Sequence, residues 1–177
     1  MKMVAVAFTV VTFASAAAHA AVVDAAAGGF TVRHTIEVRG QAAPAYRTVV
    51  ERVREWWQSD HTFSGNASNL SIDARPGGCF CEFLPGGGGV RHLTVVYADA
   101  GKLLRLSGGL GPLQDLAVDG TMTWKFTQSP STTTIEMTYA VGGYAPGGLA
   151  ALAPIVDMVL GTQVARLKRL IDTGRPD

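Results

Sequence analysis

Charge is scarce in this chain: Lys and Arg total 15 and Asp and Glu 14 in 177 residues, for a formal net charge of +1. Without a basic block, nucleic acid is not expected as a partner, since affinity there depends on neutralising phosphates, and a polybasic membrane patch is excluded for the same reason. Cysteine is nearly missing, and the two residues present fall in one short stretch, so the chain is not a small disulfide scaffold. Past the N-terminus no segment reads as apolar enough to cross a bilayer. Neither an internal repeat nor a second domain is visible, and the length suits one domain with a sizeable core.

What is present begins with an export pattern. Lys2 is a short positive start, Met3 to Phe13 is apolar, and Ala18-His19-Ala20 fits the small-x-small rule for cleavage after Ala20. The apolar run is shorter than the roughly 20 residues of a membrane span, so residues 1–20 are expected to be a signal peptide. The product would be exported, periplasmic or secreted, with no stable membrane insertion after cleavage. Lys2 is the only formal charge in that segment, so its removal takes +1 to zero. Residues 21–29, mostly small and without a period, are expected to be a flexible lead-in to one domain over residues 30–173.

Phe30, Val32, His34, Ile36 and Val38 alternate with polar residues, the period of a strand with one buried face. After Gly40, Pro44 suits a first helical turn, and Tyr46, Val49, Val50, Val53, Trp56 and Trp57 follow at helical spacing. A polar link over 59–68 leads into four short β-rich segments, Leu70 to Ala74, Cys79 to Leu84, Val90 to Ala98 and Lys102 to Ser107, with glycine-rich turns between them. Two longer alternating strands follow, Val118 to Phe126 and Ile135 to Val141. Leu149 to Asp172 predicts a helix with Val156, Val159, Leu160, Val164, Leu167, Leu170 and Ile171 on one face, and Pro154 places its start later than Leu149. Gln163 falls within that face, so its amide must bond to the sheet or sit in a polar spot of a cavity. Strand, helix, meander and long C-terminal helix together give an α+β class, with helices on one face of an antiparallel sheet.

This order of elements, over Phe30 to Thr173, resembles the SRPBCC superfamily, the START-like helix-grip fold. Arg75-Pro76-Gly77-Gly78-Cys79-Phe80 is similar to the strand opening of its polyketide cyclase and activator-of-chaperone-ATPase-like branch. The resemblance implies a curved seven-stranded antiparallel sheet wrapped around the C-terminal helix, with a hydrophobic cavity between them. It also implies that the aromatic of the Gly-Gly-x-Phe motif, here Phe80, points inward.

The chemistry candidates cluster around one hairpin. Cys79, Cys81, Glu82, His61 and His92 are metal-ligand types, but C-x-C on a strand is a weak signal and no metal is expected. Residues i and i+2 of a straight strand lie about 6.6 Å apart with parallel side chains, so without a bulge Cys79 and Cys81 are expected as two protected thiols. A symmetric hairpin closed by the loop at 85–89 would set Leu84 opposite Val90, Glu82 opposite His92 and Cys81 opposite Leu93, making Glu82 and His92 a candidate acid-base pair. The oilier face (Cys79, Cys81, Phe83, Leu93, Val95, Tyr97) puts that pair outside, and the family pattern puts it inside; the sequence leaves both open. His34 reads as a satisfied core histidine and His61 as a residue of the cavity mouth. The glycine-rich stretches at 107–112 and 142–148 lack the setting and the Lys of a phosphate loop, so they read as turns flanking the sheet and no cofactor is expected.

The expected function is binding of a small apolar molecule (lipid-, polyketide- or aromatic-like). Trp57, His61, Phe80, Met122, Trp124, Phe126, Met137, Tyr139, Val156, Leu160 and Gln163 are the candidate wall. The alternatives are a cyclase or hydratase using Glu82 and His92, and a surface-acting structural protein with a filled core.

Overall fold

The computed structural model describes residues 20–177, so the expected signal peptide lies outside the described residues except for its last position. In β2 (Gly29–Arg39) the alternation works as the sequence predicts: Phe30, Val32, His34, Ile36 and Val38 are buried, and Arg33, Thr35, Glu37 and Arg39 are exposed. Its whole length pairs antiparallel with β8 (Thr132–Tyr144), from Gly29 opposite Gly142 to Arg39 opposite Thr132. The expected flexible lead-in is instead a strand, β1 (Ala20–Ala26), joined antiparallel to β2. The reason it is hidden is physical: Val22 and Val23 are both exposed, so β1 forms through its backbone ladder and has no oily face to leave a period.

The meander runs through β3 (Leu70–Ile72), β4 (Cys79–Phe83), β5 (Gly89–Asp99), β6 (Leu103–Ser107) and β7 (Ala117–Gln128). The spatial order is β1-β2-β8-β7-β6-β5-β4-β3, each pair antiparallel, with β1 and β3 as open edges. The sheet therefore has eight strands and not the seven that the resemblance implies; β1 is the addition.

The first helix is interrupted. Residues Ala42–Glu51 form α1 and Val53–Trp56 form α2, with Arg52 between them at φ −115° and ψ 23°. Pro44 falls within the first turn of α1, where its missing N–H has no helical acceptor to lose. Trp56 packs edge-on against Trp124 and Tyr46 against Phe126, ring centroids 5.9 and 5.4 Å apart, so α1 and α2 fill the space over one half of the sheet.

Helix α3 (Ala153–Thr173) crosses the same face after a short turn at Ala150–Leu152. It starts later than Leu149 because Pro154 is tolerated only in its first turn. Leu160, Val164, Leu167 and Leu170 are buried, and Gly174 ends the helix at φ +81° with its N–H on the Leu170 carbonyl at 2.9 Å. By length and composition Ala150–Thr173 is apolar enough to cross a membrane, contrary to the sequence expectation; Leu160, Val164, Leu167 and Leu170 are buried, whereas Ile155 and Met158 are exposed.

Candidate functional site

Over the half of the sheet that α1 and α2 leave uncovered lies a cavity of about 570 Å³. The turn before α3 supplies Leu152, and the N-terminal half of α3 supplies Ile155, Val156, Met158, Val159 and Leu160; the segment after α2 supplies Trp57 and residues 60–63; residues 110–113 and Leu116 close a third side; His92 and Tyr139 rise from the sheet. Phe63, Ile155 and Met158 are 53, 57 and 64% exposed, so the opening itself is apolar.

Two polar groups of the sheet fix these walls. Tyr139 donates its hydroxyl to the Gly108 carbonyl at 2.8 Å and accepts from the Leu110 N–H at 2.9 Å, which ties the glycine-rich loop to the sheet. Burial pushes its pKa up to about 12, so the hydroxyl keeps its proton. The Tyr139 ring occupies the space over Gly120, where a Cβ would come within 2.6 Å of Cε2.

The second group is the Glu82–His92 pair. The turn closes at Phe83 opposite Gly89, with Gly86 and Gly87 both at positive φ, so Glu82 faces Val90 and not His92, two residues away from the expected register. Between Phe80 and Cys81 the ladder slips once: Phe80 opposes Leu93, Cys81 opposes Arg91, and His92 is the extra residue of a β-bulge. The bulge lets His92 and Leu93 both turn inward, and Phe80 and Glu82 are buried on the same side. His92 Nε2 lies 2.9 Å from Glu82 Oε2. Glu82 also accepts the backbone N–H of Phe63 at 3.1 Å and that of Ser64, which holds the 59–66 segment onto the sheet. The open question of the hairpin face is thus answered inward, and a second bulge at Val96 turns Tyr97 out.

Burial alone would raise the Glu82 pKa, but the donors from Ser64, Phe63 and His92 outweigh it and hold it below its ordinary value. A carboxylate only accepts, so Nε2 carries the imidazole proton and Nδ1 has the free lone pair. Burial lowers the His92 pKa, against a smaller opposing pull from Glu82, so the ring is neutral at neutral pH. Its Nδ1 is buried without a hydrogen-bond partner. The ring is stacked on Phe63 at 5.9 Å and tilted against Phe80 at 5.1 Å.

The other candidates separate cleanly. Trp57, His61, Tyr139, Val156 and Leu160 line the cavity. Phe80 sits one layer behind, between Trp57 and His92. Met122, Trp124, Phe126 and Met137 do not line it; all four are buried in the core, Trp124 against Trp56 and Phe126 against Tyr46. Gln163 takes neither expected place: its Oε1 accepts the Gln58 N–H at 2.8 Å, which joins α3 to the chain leaving α2. His34 is buried against Gly161 of α3, with Nε2 3.1 Å from Asp157 Oδ1 but outside hydrogen-bond alignment, so it is a core histidine without the satisfied bond expected of it.

Cys79 and Cys81 form a disulfide, contrary to the two thiols expected. Their Cα atoms are 5.4 Å apart, shorter than a straight strand allows, and they sit where the ladder slips. They are half-buried on the face opposite Phe80 and Glu82, so the cysteines and the Glu82–His92 pair do not converge.

Phe63, Leu110, Leu113, Ile155, Met158 and Val159 also belong to the cavity but were not among the candidates. Val159 lay on the predicted helix face, and its signal was available; Phe63 and Leu110 sit in irregular segments, which carry no period.

Fold and site together define an α+β protein in which an antiparallel sheet and a C-terminal helix enclose an apolar cavity with a buried Glu–His pair in its wall. No family model and no curated protein matches the chain. Among solved structures it is similar to CalU16 from Micromonospora echinospora, with a TM-score of 0.56 at 12% identity over 91% of this chain and 87% of that one. Protein MLL2253 from Mesorhizobium loti gives 0.55 at 18% identity, over 79% and 95%. DynU16, from the dynemicin biosynthetic locus, gives 0.56 at 19% identity over 82% of this chain, which spans 48% of that one. At these identities the likeness is one of fold, and the shared arrangement is consistent with a helix grip.

Proposed function

We propose that the chain is an exported SRPBCC-type binding protein that holds a small hydrophobic molecule between its sheet and its C-terminal helix. The observation that carries this is the cavity of about 570 Å³, within the range of about 300–1,000 Å³ of small-molecule sites, with few polar groups in its wall and an apolar mouth. A neighbour from a biosynthetic locus supports a small molecule as the ligand class. Export is supported by the Lys2, Met3 to Phe13 and Ala18-His19-Ala20 pattern, and by a disulfide, which persists in oxidising compartments. The filled-core alternative is at odds with the cavity.

Titration with the neutral dye N-phenyl-1-naphthylamine tests the reading. Saturable binding with one site is expected, weakened at least about tenfold in Val156→Trp, whose indole would occupy the cavity. Absence of saturable binding in the unmodified protein would count against it.

A second reading, a cyclase or hydratase, is favoured by one observation: a neutral imidazole oriented by a carboxylate, with a bare nitrogen, in a cavity wall. Its test uses whatever molecule co-purifies. Turnover by the protein, and not by His92→Phe, would give either an isomer of equal mass, as cyclisation does, or a species heavier or lighter by one water, as hydration or dehydration does; a molecule recovered unchanged in both mass and chromatographic retention would leave binding alone.

A further inference from the structure

We propose that His92 Nδ1 is the recognition group of the cavity, and that the ligand is an aromatic molecule carrying a hydroxyl that donates a hydrogen bond to it. This rests on the ligand-binding reading above and adds the chemical class. A buried acceptor without a partner costs about 1–3 kcal/mol unless something satisfies it, and Nδ1 is such an atom. His92 is among the residues that line the cavity, and Nδ1 itself is covered, so a bound molecule supplies the donor by entering beside the imidazole and displacing the Phe63 ring stacked on it.

The acceptor character is built in. Glu82 is held as an anion by the Phe63 and Ser64 N–H groups and accepts the hydrogen bond of the His92 Nε2–H, which fixes the tautomer that leaves Nδ1 bare. Burial keeps the ring from acquiring a second proton near neutral pH. The other polar group of the sheet wall, the Tyr139 hydroxyl, already has both a donor and an acceptor in the Gly108 to Leu110 loop, which leaves His92 as the sheet group with spare capacity. Phe63 stacked on the imidazole and Trp57 in the same wall give flat surfaces for a planar ring.

The experiment competes 1-naphthol and 1-methoxynaphthalene against N-phenyl-1-naphthylamine. In the ether a methyl group replaces the donor proton, which makes it the more apolar of the two, so a purely greasy cavity prefers the ether. The expectation is about five- to tenfold tighter binding of the naphthol, the worth of one neutral hydrogen bond or slightly more. In His92→Phe, which keeps a planar ring, that preference is expected to vanish, the ratio of the two affinities being the readout whatever the variant does to each affinity alone. Because this variant strands the Glu82 carboxylate, a second readout uses the unmodified protein: the ¹⁵N resonance of His92 Nδ1 should move on adding naphthol and stay still with the ether. Equal binding of the two, or an Nδ1 resonance indifferent to both, overturns the hydroxyl recognition and leaves the cavity reading standing. Failure of the naphthol, the ether and the dye to bind at all overturns both.

Discussion

Glu82 organises the site more than any other side chain, because three donors converge on one carboxylate: the N–H groups of Phe63 and Ser64 and the imidazole of His92. Glu82→Ala would leave all three without an acceptor, two of them in the segment that walls the cavity. A loss of about 3–5 kcal/mol is expected in denaturant unfolding, as for a buried pair broken on one side. The exposed Glu51→Ala is expected to stay within about 0.5 kcal/mol. Equal losses in the two would show that the carboxylate holds nothing. Gly120 is the second critical residue, since a Cβ there would come within 2.6 Å of Tyr139 Cε2 and 2.8 Å of its hydroxyl oxygen. Gly120→Ala is expected to cost about 1–3 kcal/mol by overpacking. Dye affinity should fall with it, because the displaced phenol releases the loop at 108–110; normal affinity in a destabilised variant would separate the two effects.

At the scale of elements, the β4–β5 hairpin decides the chemistry. Its bulge at His92 puts the acid-base pair inside and the disulfide outside. The Cys79–Cys81 bridge closes a loop so short that it removes little freedom from the unfolded chain, and Cys79→Ser with Cys81→Ser is expected to cost no more than about 2 kcal/mol. In protein isolated without reductant both cysteines should resist alkylation under denaturing conditions and react after reduction; two reactive thiols at the outset would contradict the bridge.

The same hairpin shows what the sequence holds and what it hides. Strand β2, the helical faces of α1 and α3 and the long strands β7 and β8 were legible because each buries one face, and burial writes a period into the residues. The hairpin was not, because a bulge shifts the period by one. Leu93 and Val95 go in, while Cys79, Cys81, Phe83 and Tyr97, which alternation groups with them, do not. The strand β1 left no trace, since backbone pairing alone makes it. Glu82, His92, Trp57, His61, Tyr139, Val156 and Leu160 could be placed near one another from the sequence. Which half of the sheet stays open could not, because that depends on Tyr46 and Trp56 filling the other half.

For the whole molecule, acid should be the destabilising condition. His34 and His92 are both held below the ordinary imidazole value of 6.5, chiefly by burial, so the unfolded chain takes up protons before the folded one does. Their contribution is complete above pH 6.5 and is lost as pH falls through their lower folded values. Glu82, lowered from 4.5, adds a further loss below that pH. Urea unfolding at a series of pH values should give a plateau above neutrality and a decline beginning near 6.5, shallower in His92→Phe; stability independent of pH between 7 and 5 would contradict neutral burial of both rings.

The central claim is that the space between sheet and C-terminal helix is kept for a ligand. Native mass spectrometry of the protein purified from its own host tests this most directly. The account predicts a stoichiometric, non-covalent mass increment that disappears on denaturation and is missing from Val156→Trp. The bare polypeptide mass in the native spectrum, together with no increment after incubation with N-phenyl-1-naphthylamine, would contradict it.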